Sequence, residues 1–208
     1  MLAQGRILVD GDVARDIQQA VNKFSQVSCD GESLQANKAS YIMMNKPVGV
    51  LSSTKDAHHK TVIDLLGCSE RHQLHLAGRL DFNSTGLLLL TNDGHWSRRL
   101  SSPENAVEKI YRVSLEKPLN ETYIYAFAQG MYFQYENITT RPVRLKIISD
   151  RLAEVTLAEG RYHQIKRMFG RFQNKVLQLH RQSVGNIQLD PNLLPGQYRK
   201  LSAQEAPS

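Results

Sequence analysis

The sequence predicts an α+β fold with a mixed, largely antiparallel sheet flanked by helices. Residues 111–115, 143–147 and 153–157 alternate apolar and polar side chains at the two-residue period of a half-buried strand. Residues 87–90 form a continuous apolar run bounded by turn residues, which is typical of a strand buried on both faces. Because no regular helical crossovers separate these strands, an antiparallel arrangement is favoured over a parallel one.

The beginning of the chain is expected to fold as a small separate module. Two short strand-like runs, residues 6–9 and 27–29, are each followed by an Asp-Gly pair, which is a strong signal of a tight hairpin turn. The sequence therefore predicts a module at residues 1–38 and a larger domain at residues 39–208, joined by a linker near residues 37–40.

Two polar residues of the larger domain are expected to begin helices. Thr61 precedes apolar residues at helical spacing over residues 61–66. Asn120 can cap a helix that carries Phe127 inward and ends near Gly130.

A third helix is expected over residues 161–172, with two chemically different faces. Its core stripe repeats at i, i+3, i+4 and i+7 and consists of Ile165, Met168, Phe169 and Phe172. The opposite face is basic and carries His163, Arg167 and Arg171. Lys166 lies at the boundary, so its stem can pack on apolar surface while its ammonium group reaches a cleft. Since no acidic residue lies within four positions of Arg167 or Arg171, the basic face suits phosphate contacts.

Composition points to a polyanionic partner and to no metal site. The chain has 26 Lys and Arg residues against 20 Asp and Glu, a net charge of +6 and a pI near 9.4. No apolar run approaches the roughly 20 residues of a membrane helix. Two cysteines are too few for a disulfide framework, and the histidines at 58, 59, 72 and 75 follow no ligand pattern, so no metal is expected.

Asp81 is the residue to which the sequence most clearly assigns chemistry. It follows Arg79 in a turn that leads into the apolar run 87–90, so it lies at the edge of the core. A carboxylate in a turn is often only a turn former or a helix cap. Burial raises the pKa of a carboxyl group and a neighbouring cation lowers it, so a pairing with Lys166 or Arg79 would keep this group ionised. Ionised carboxylates serve as covalent catalysts at sugar anomeric centres.

Four motifs follow one another along the chain, at residues 44–49, 77–94, 108–113 and 159–169. In sequence and order they resemble those of the pseudouridine synthases that modify ribosomal RNA, in the RsuA-type branch, and the similarity extends from about residue 41 to residue 201. The resemblance implies the fold of a pseudouridine synthase catalytic domain over residues 39–208, with a mixed sheet and no cofactor.

The resemblance also implies roles for individual residues. Asp81 would be the nucleophile, and Tyr111 would stack on the target base and take part in proton transfer, rather than serve only as a core aromatic. Lys166 would pair with Asp81, with Arg79 helping to organise charge. The base must leave the RNA helix to be isomerised, and flipped bases are held by aromatic or apolar groups.

A further set of residues is expected to contact RNA. Ile165 would pack near the uracil, and the basic helix would hold phosphates. Lys46 follows the strand at residues 41–44 and is a candidate phosphate contact. The set comprises Asn45, Lys46, Arg161, His163, Gln164, Ile165, Arg167 and Arg171.

The amino-acid sequence at residues 163–169 and 179–199 resembles that of the small-subunit enzymes more than that of their large-subunit relatives. The implied substrate is a uridine of small-subunit (16S) ribosomal RNA, free or within a pre-ribosomal particle. The implied enzyme is a cytoplasmic monomer that does not associate with membranes. Residues 5–16 resemble the second half of an S4-type RNA-binding module. Its first half, a pair of basic helices, has no counterpart here, so a partial, truncated module is expected at residues 1–38.

Three alternatives remain at this stage. One is a synthase of the same branch that acts on large-subunit RNA. Another is a non-catalytic RNA-binding or ribosome-assembly factor, which would have no need of Asp81, Tyr111 and Lys166 together. The third is an aspartate-based nucleoside hydrolase, which would need a metal or a second carboxylate beside Asp81; Asp93 lies twelve residues further along and is expected to be a turn residue.

Overall fold

The computed structural model describes residues 1–202 and 204–206 of the 208-residue chain. The chain divides into two compact units, Met1–Ser40 and Tyr41–Ser208. The division falls two residues after the boundary expected from sequence.

The first unit is a small antiparallel sheet. It contains a 3-10 turn at Leu2–Gln4 and four strands in the order β2-β1-β3-β4: β1 (Ile7–Val9), β2 (Asp12–Val13), β3 (Val27–Cys29) and β4 (Glu32–Gln35). The two Asp-Gly hairpins are confirmed. Asp10 and Gly11 have φ of 54° and 93°, and Asp30 and Gly31 have φ of 53° and 86°. Two successive positive φ angles give a turn whose twist matches that of the flanking strands.

The second unit contains a nine-stranded sheet with helices packed against it and a separate two-stranded hairpin. The strands of this unit are β5 (Tyr41–Lys46), β6 (His75–Leu76), β7 (Thr85–Thr91), β8 (Lys109–Leu115), β9 (Tyr132–Phe133), β10 (Ile138–Thr139), β11 (Arg144–Ser149), β12 (Leu152–Leu157), β13 (Val176–Val184), β14 (Ile187–Gln188) and β15 (Tyr198–Lys200). Its helices are α1 (Gly94–Ser101), α2 (Glu121–Gln129) and α3 (Gln164–Gly170), with 3-10 turns at Ile63–Leu65, Ser69–Gln73 and Pro103–Asn105.

The predicted α+β class and the mixed, largely antiparallel sheet are confirmed. The main path runs β11-β12-β8-β13-β7-β5-β15, with β6 and β14 paired at its sides and β9 and β10 forming a separate hairpin. Among the strands of the described residues, only β7 and β13 pair in parallel. Residues 87–90 are fully buried in β7, as their apolar run predicts.

Two helix predictions needed correction, and one was confirmed. The helix expected over residues 61–66 is only the 3-10 turn Ile63–Leu65. The Asp64 carboxylate accepts hydrogen bonds from both the amide (2.8 Å) and the hydroxyl (2.9 Å) of Thr61. Thr61 itself forms a β-bridge with Leu51 and is therefore outside the helical turn. In contrast, Asn120 caps α2 through the Thr122 amide, and Gly130 ends the helix, as expected.

The third helix, expected over residues 161–172, begins only at Gln164. His163 adopts a left-handed conformation with φ of 48°, which separates residues 161–163 from the helix. The apolar stripe nevertheless lies where the spacing predicts, because Ile165, Met168 and Phe169 are buried against the sheet and α2.

β7 and β13 approach each other unusually closely just after the Asp81 turn. Gly86 has φ of 102°, and a Cβ placed there would lie 2.3 Å from the Arg181 carbonyl oxygen. Only glycine fits both the conformation and the space. This contact brings the turn before β7 against β13 and thereby positions the site described below.

No helix within residues 1–202 and 204–206 has the length and apolar content needed to cross a lipid bilayer.

Candidate active site

Asp81 lies at the start of the turn that leads into β7, and two side chains lie against its carboxylate. The Ser84 amide donates to the Asp81 carbonyl (3.0 Å) and closes the turn. Lys166 Nζ lies 2.7 Å from Asp81 Oδ2, and His163 Nε2 lies 3.4 Å from Asp81 Oδ1. The carboxylate is 27% exposed, so it is partly desolvated yet open to an incoming ligand.

Both side chains come from the amino-terminal end of the α3 segment. The left-handed conformation of His163 turns its ring towards Asp81, and the ring stacks on Tyr162 with centroids 3.9 Å apart. A non-glycine residue in this region is uncommon and is often found at functional sites. His163 was assigned to the RNA-facing side of a helix from sequence, whereas the structure places it on the Asp81 carboxylate.

Lys46 supports the Asp81 turn from within the core. It is fully buried, and its ammonium group donates to the carbonyls of Pro47 (2.9 Å), Ser84 (2.9 Å) and Phe82 (3.4 Å). Burial lowers the pKa of Lys46 to about 8, although the nearby Asp81 carboxylate opposes this shift. A side chain so enclosed cannot present its charge to a phosphate, so the expected phosphate contact of Lys46 is withdrawn.

Arg181 supports the same turn from β13. Its side chain is 2% exposed; Nε donates to the Leu87 carbonyl (2.8 Å) and Nη1 to the Arg79 carbonyl (3.2 Å). This role of Arg181 was not predicted from the sequence. A signal was present, because Arg181 shares the parity of the apolar Leu179 on an alternating strand and should therefore face inward.

A cavity of about 610 Å³ opens onto Asp81. Its lining combines a polar rim with apolar walls and includes Arg79, Asp81, Tyr111, His163, Gln164 and Ile165. Tyr111 is 7% exposed and packs in the core cluster that also contains Leu80 and Ile165. Arg79 lines the same cavity, but within the described residues the ion pairs of Asp81 are with Lys166 and His163. The structure therefore brings together the four residues expected to be catalytic, with His163 in addition.

Other residues expected to contact RNA have structural partners instead. Asn45 is buried and donates to the Leu193 carbonyl (2.8 Å). Gln164 is buried, donates to Glu159 (2.6 Å), and accepts from the Arg161 amide (3.1 Å). The Arg161 side chain pairs with Glu159 at 3.0 Å but remains exposed at the cavity rim.

The two arginines of α3 differ in their surroundings. Arg167 pairs with Glu136, 31 residues away, at 2.7 Å, and its guanidinium lies 3.7 Å from the centre of the Phe133 ring. The expectation that Arg167 lacks an acidic partner, drawn from local sequence, is wrong. Arg171 is exposed and donates to the neutral Tyr132 carbonyl, so its charge is not balanced there.

This arrangement suits covalent catalysis by a carboxylate on a ligand whose planar ring binds in the neighbouring cavity. An ion-paired carboxylate meets a cavity whose walls offer a tyrosine ring and the apolar side chains of Leu80 and Ile165. A pyrimidine drawn out of a nucleic acid could be held between such groups with its sugar near Asp81. Within the described residues, no group of three or more His, Cys, Asp or Glu is arranged to hold a metal ion.

Comparisons with known proteins agree with this chemistry. The family model described as RNA pseudouridylate synthase matches residues 40–170. A Pseudomonas aeruginosa protein named ribosomal small subunit pseudouridine synthase A is 51% identical over 99% of this chain and 90% of its own length. A protein of the same name from Escherichia coli strain K12 is 42% identical over 98% of this chain and 88% of its own.

A solved structure described as a pseudouridylate synthase has the same fold. Its TM-score is 0.78, with 37% identity over 98% of this chain and 88% of that structure. The family match covers most of the chain and includes Asp81, Tyr111 and Lys166. On this evidence, the chain belongs to the RNA pseudouridylate synthase family.

Proposed function

We propose that this protein is an isomerase that converts a uridine of small-subunit (16S) ribosomal RNA into pseudouridine without a cofactor. The observation that carries the proposal is the Asp81–Lys166 ion pair of 2.7 Å, which opens onto a cavity lined by Tyr111 and Ile165. The names of the relatives from Pseudomonas aeruginosa and Escherichia coli support small-subunit RNA as the substrate.

The reaction rearranges bonds within one nucleotide. The bond between C1′ of the ribose and N1 of uracil breaks, the base turns, and C1′ bonds to C5. The proton on C5 leaves and N1 gains one, so atoms and charge balance. Asp81 acts as the nucleophile, and the bond that it forms to the nucleotide breaks again before the product leaves. The Lys166 ammonium group stabilises the Asp81 carboxylate, and His163 lies against its other oxygen. Tyr111 stacks on the detached base, and its hydroxyl serves the proton transfer.

Water must be kept from the detached base, and the site is built for this. The apolar side chains of Leu80, Leu157 and Ile165 line the cavity beside Tyr111. Lys46 and Arg181 fix the backbone around Asp81 through carbonyl groups. Because the turn is held on both sides, the carboxylate need not reorganise when the uridine enters.

The accessory features belong to the same proposal. Residues 1–38 act as a partial S4-like module that adds to RNA binding. Its sheet and its two Asp-Gly hairpins are compatible with this role. The enzyme works as a cytoplasmic monomer on ribosomal RNA, either free or in an assembling small subunit.

The decisive experiment is to map pseudouridine in both ribosomal RNAs from cells that carry or lack this gene. We expect one pseudouridine of 16S RNA to disappear on deletion and to return with the wild-type gene but not with Asp81→Asn. Loss of a site in 23S RNA instead would establish the large-subunit alternative. If no pseudouridine changed while small-subunit assembly was impaired, the protein would be a non-catalytic assembly factor.

The nucleoside hydrolase alternative would need a second carboxylate or a metal beside Asp81. Asp56 lines the same cavity, but its Oδ1 accepts from the backbone amides of His58 (2.9 Å) and His59 (2.8 Å), which supports a role in shaping its own loop. The Asp93 carboxylate caps α1 instead, where it accepts from the amides of His95 (2.9 Å) and Trp96 (3.1 Å). It also accepts from the Tyr41 hydroxyl at 2.9 Å.

A further inference from the structure

A second cavity, of about 700 Å³, is lined in part by Lys166, the partner of Asp81. Lys166 lines this cavity, whereas Asp81 lines the active-site cavity, and Leu179 lines both. The ion pair therefore forms part of the wall between them. The second cavity is lined by Asn83, Lys166, Gln173, Lys175, Leu177 and Leu179, together with residues at the end of α3.

The charge of this cavity differs from that of its neighbours. Two lysines, Lys166 and Lys175, line it, and no carboxylate does so within the described residues. The active-site cavity contains Asp56 and Asp81. On the other side of α3, the charge of Arg167 is balanced by Glu136. Because Lys166 is paired with Asp81, Lys175 is the lysine of the second cavity that can favour an anion.

The loop that carries Lys175 is held firmly on the fold. Asn174 is 1% exposed; its Oδ1 accepts from the Lys117 amide (2.9 Å), and its Nδ2 donates to the Lys117 carbonyl (3.1 Å) and the Tyr123 hydroxyl (3.0 Å). The Lys175 carbonyl accepts from the Glu116 amide at 3.0 Å. A cation on a fixed loop loses less freedom when it binds a ligand than one on a mobile loop.

The remaining lining residues suit a nucleotide. Asn83 and Gln173 carry amide groups that can donate to phosphate or ribose oxygens. Leu177 is 57% exposed and offers an apolar surface for a sugar or base face. Asn83 lies two residues after Asp81 on the same turn. A ligand here would therefore adjoin whatever occupies the active-site cavity.

We propose that this second cavity binds the phosphodiester of a nucleotide adjacent to the target uridine, with Lys175 as its principal charge. The inference rests on the proposed RNA substrate. Contact with the neighbouring phosphate fixes the register of the strand, so that one particular uridine is placed over Asp81. Such contacts position a nucleic acid without reading its sequence.

The first test measures equilibrium binding of a 16S RNA fragment by filter binding, in an Asp81→Asn background so that the result does not depend on turnover. We expect Lys175→Ala to weaken binding about tenfold, as for the loss of one charge-assisted hydrogen bond, and to lower the salt slope by about 0.7–0.9. Lys175→Arg should restore most of the affinity. Lys146→Ala, an exposed lysine of β11, is the matched control and should change neither quantity.

The second test changes the RNA. A single neutral methylphosphonate linkage is placed at each position around the target uridine in turn. At one linkage next to the target, the methylphosphonate should weaken RNA binding by the Asp81→Asn protein as much as Lys175→Ala weakens it on unmodified RNA. The same linkage should cause no further loss of affinity in the protein that also carries Lys175→Ala. Fully additive losses at every linkage, or normal binding by Lys175→Ala, would overturn the subsite. Failure of the proposed function would instead appear as absence of pseudouridine formation by the wild-type protein, which these binding measurements do not use.

Discussion

Arg181 is paired with Tyr111 on the neighbouring strand, and its guanidinium donates a hydrogen bond to the carbonyl of Arg79, two residues before Asp81. The register of β13 against β8 pairs Arg181 with Tyr111, so both side chains point to the same face. The bond from Arg181 Nη1 to the Arg79 carbonyl measures 3.2 Å. One buried cation thus links the strand that carries the tyrosine to the turn that carries the aspartate.

Lys46 completes this support from β5. Arg181 and Lys46 bind backbone carbonyls on either side of Asp81, at Arg79 and at Phe82 and Ser84. Neither cation pairs with the Asp81 carboxylate, which is left to Lys166 and His163. The site therefore uses two buried cations to shape the backbone, while the partly exposed Lys166 and His163 contact the Asp81 carboxylate.

Replacing Asp81 with asparagine should abolish product formation while preserving the fold and RNA affinity. Asparagine has nearly the same shape and can still accept from Lys166, but its amide is not nucleophilic. Pseudouridine formation on a 16S RNA fragment measures the first effect, and thermal unfolding with filter binding measures the others. Activity above about 1% of wild type would rule out a carboxylate nucleophile.

Replacing Tyr111 with phenylalanine should separate stacking from proton transfer. The ring remains in the cavity, so KM should stay near its wild-type value, whereas kcat should fall by roughly 10²–10⁴ if the hydroxyl transfers a proton. Tyr111→Ala is the matched control and should also weaken binding of the RNA. Normal turnover by the phenylalanine variant would leave only a stacking role for Tyr111.

Replacing Lys166 with methionine should impair catalysis more than binding. The Asp81 carboxylate would lose its 2.7 Å partner in a partly desolvated position, and we expect kcat to fall at least about tenfold. Lys166→Arg keeps the charge and should retain more activity. Steady-state kinetics on the RNA fragment check both variants, and a methionine variant that raised only KM would place Lys166 in RNA binding alone.

Local sequence patterns predicted much of the fold. The alternation of apolar residues located β8, β11 and β12, and the apolar run at residues 87–90 located β7. Asn120 and Gly130 correctly bounded α2. These elements are determined by neighbours in sequence, so periodicity and capping suffice to find them.

Contacts between distant residues were less predictable. The pKa argument left both Lys166 and Arg79 open as partners of Asp81, and the family resemblance favoured Lys166, which lies 85 residues away. Glu136 was not recognised as the partner of Arg167, since it lies on the β9–β10 hairpin. The burial of Lys46 was also missed, because a lysine at the end of a strand is normally solvated. Such features depend on which strands become neighbours.

Lys46 should make stability depend on pH in the alkaline range. Burial lowers its pKa from 10.5 to about 8 in the folded protein. Between these values the unfolded chain binds more protons than the folded one, so the free energy of unfolding attributable to Lys46 rises with pH. We expect the wild-type protein to gain on the order of 3 kcal/mol relative to Lys46→Met between about pH 7.5 and 10.5. Urea unfolding of both proteins across this range measures the difference, and a pH-independent difference would contradict the buried, shifted lysine.

Arg171 and Arg167 should contribute unequally to RNA binding although both lie at the end of the same helix. Within the residues that the structure describes, the exposed Arg171 donates to a neutral carbonyl, whereas Glu136 balances Arg167. We therefore expect Arg171→Ala to lower the slope of log affinity against log salt by about 0.7–0.9, the value for one lost phosphate contact, and Arg167→Ala to lower it less.

Deletion of residues 1–38 should change this slope little, because the main phosphate contacts are expected on the catalytic domain. Salt titrations of filter binding compare the three variants with the wild-type protein on one RNA fragment. If the deletion caused the large change and neither arginine variant did, the first unit would be the main RNA anchor. Equal losses from both arginines would instead indicate that Glu136 leaves Arg167 when RNA binds, so that the Arg167–Glu136 pair opens during recognition.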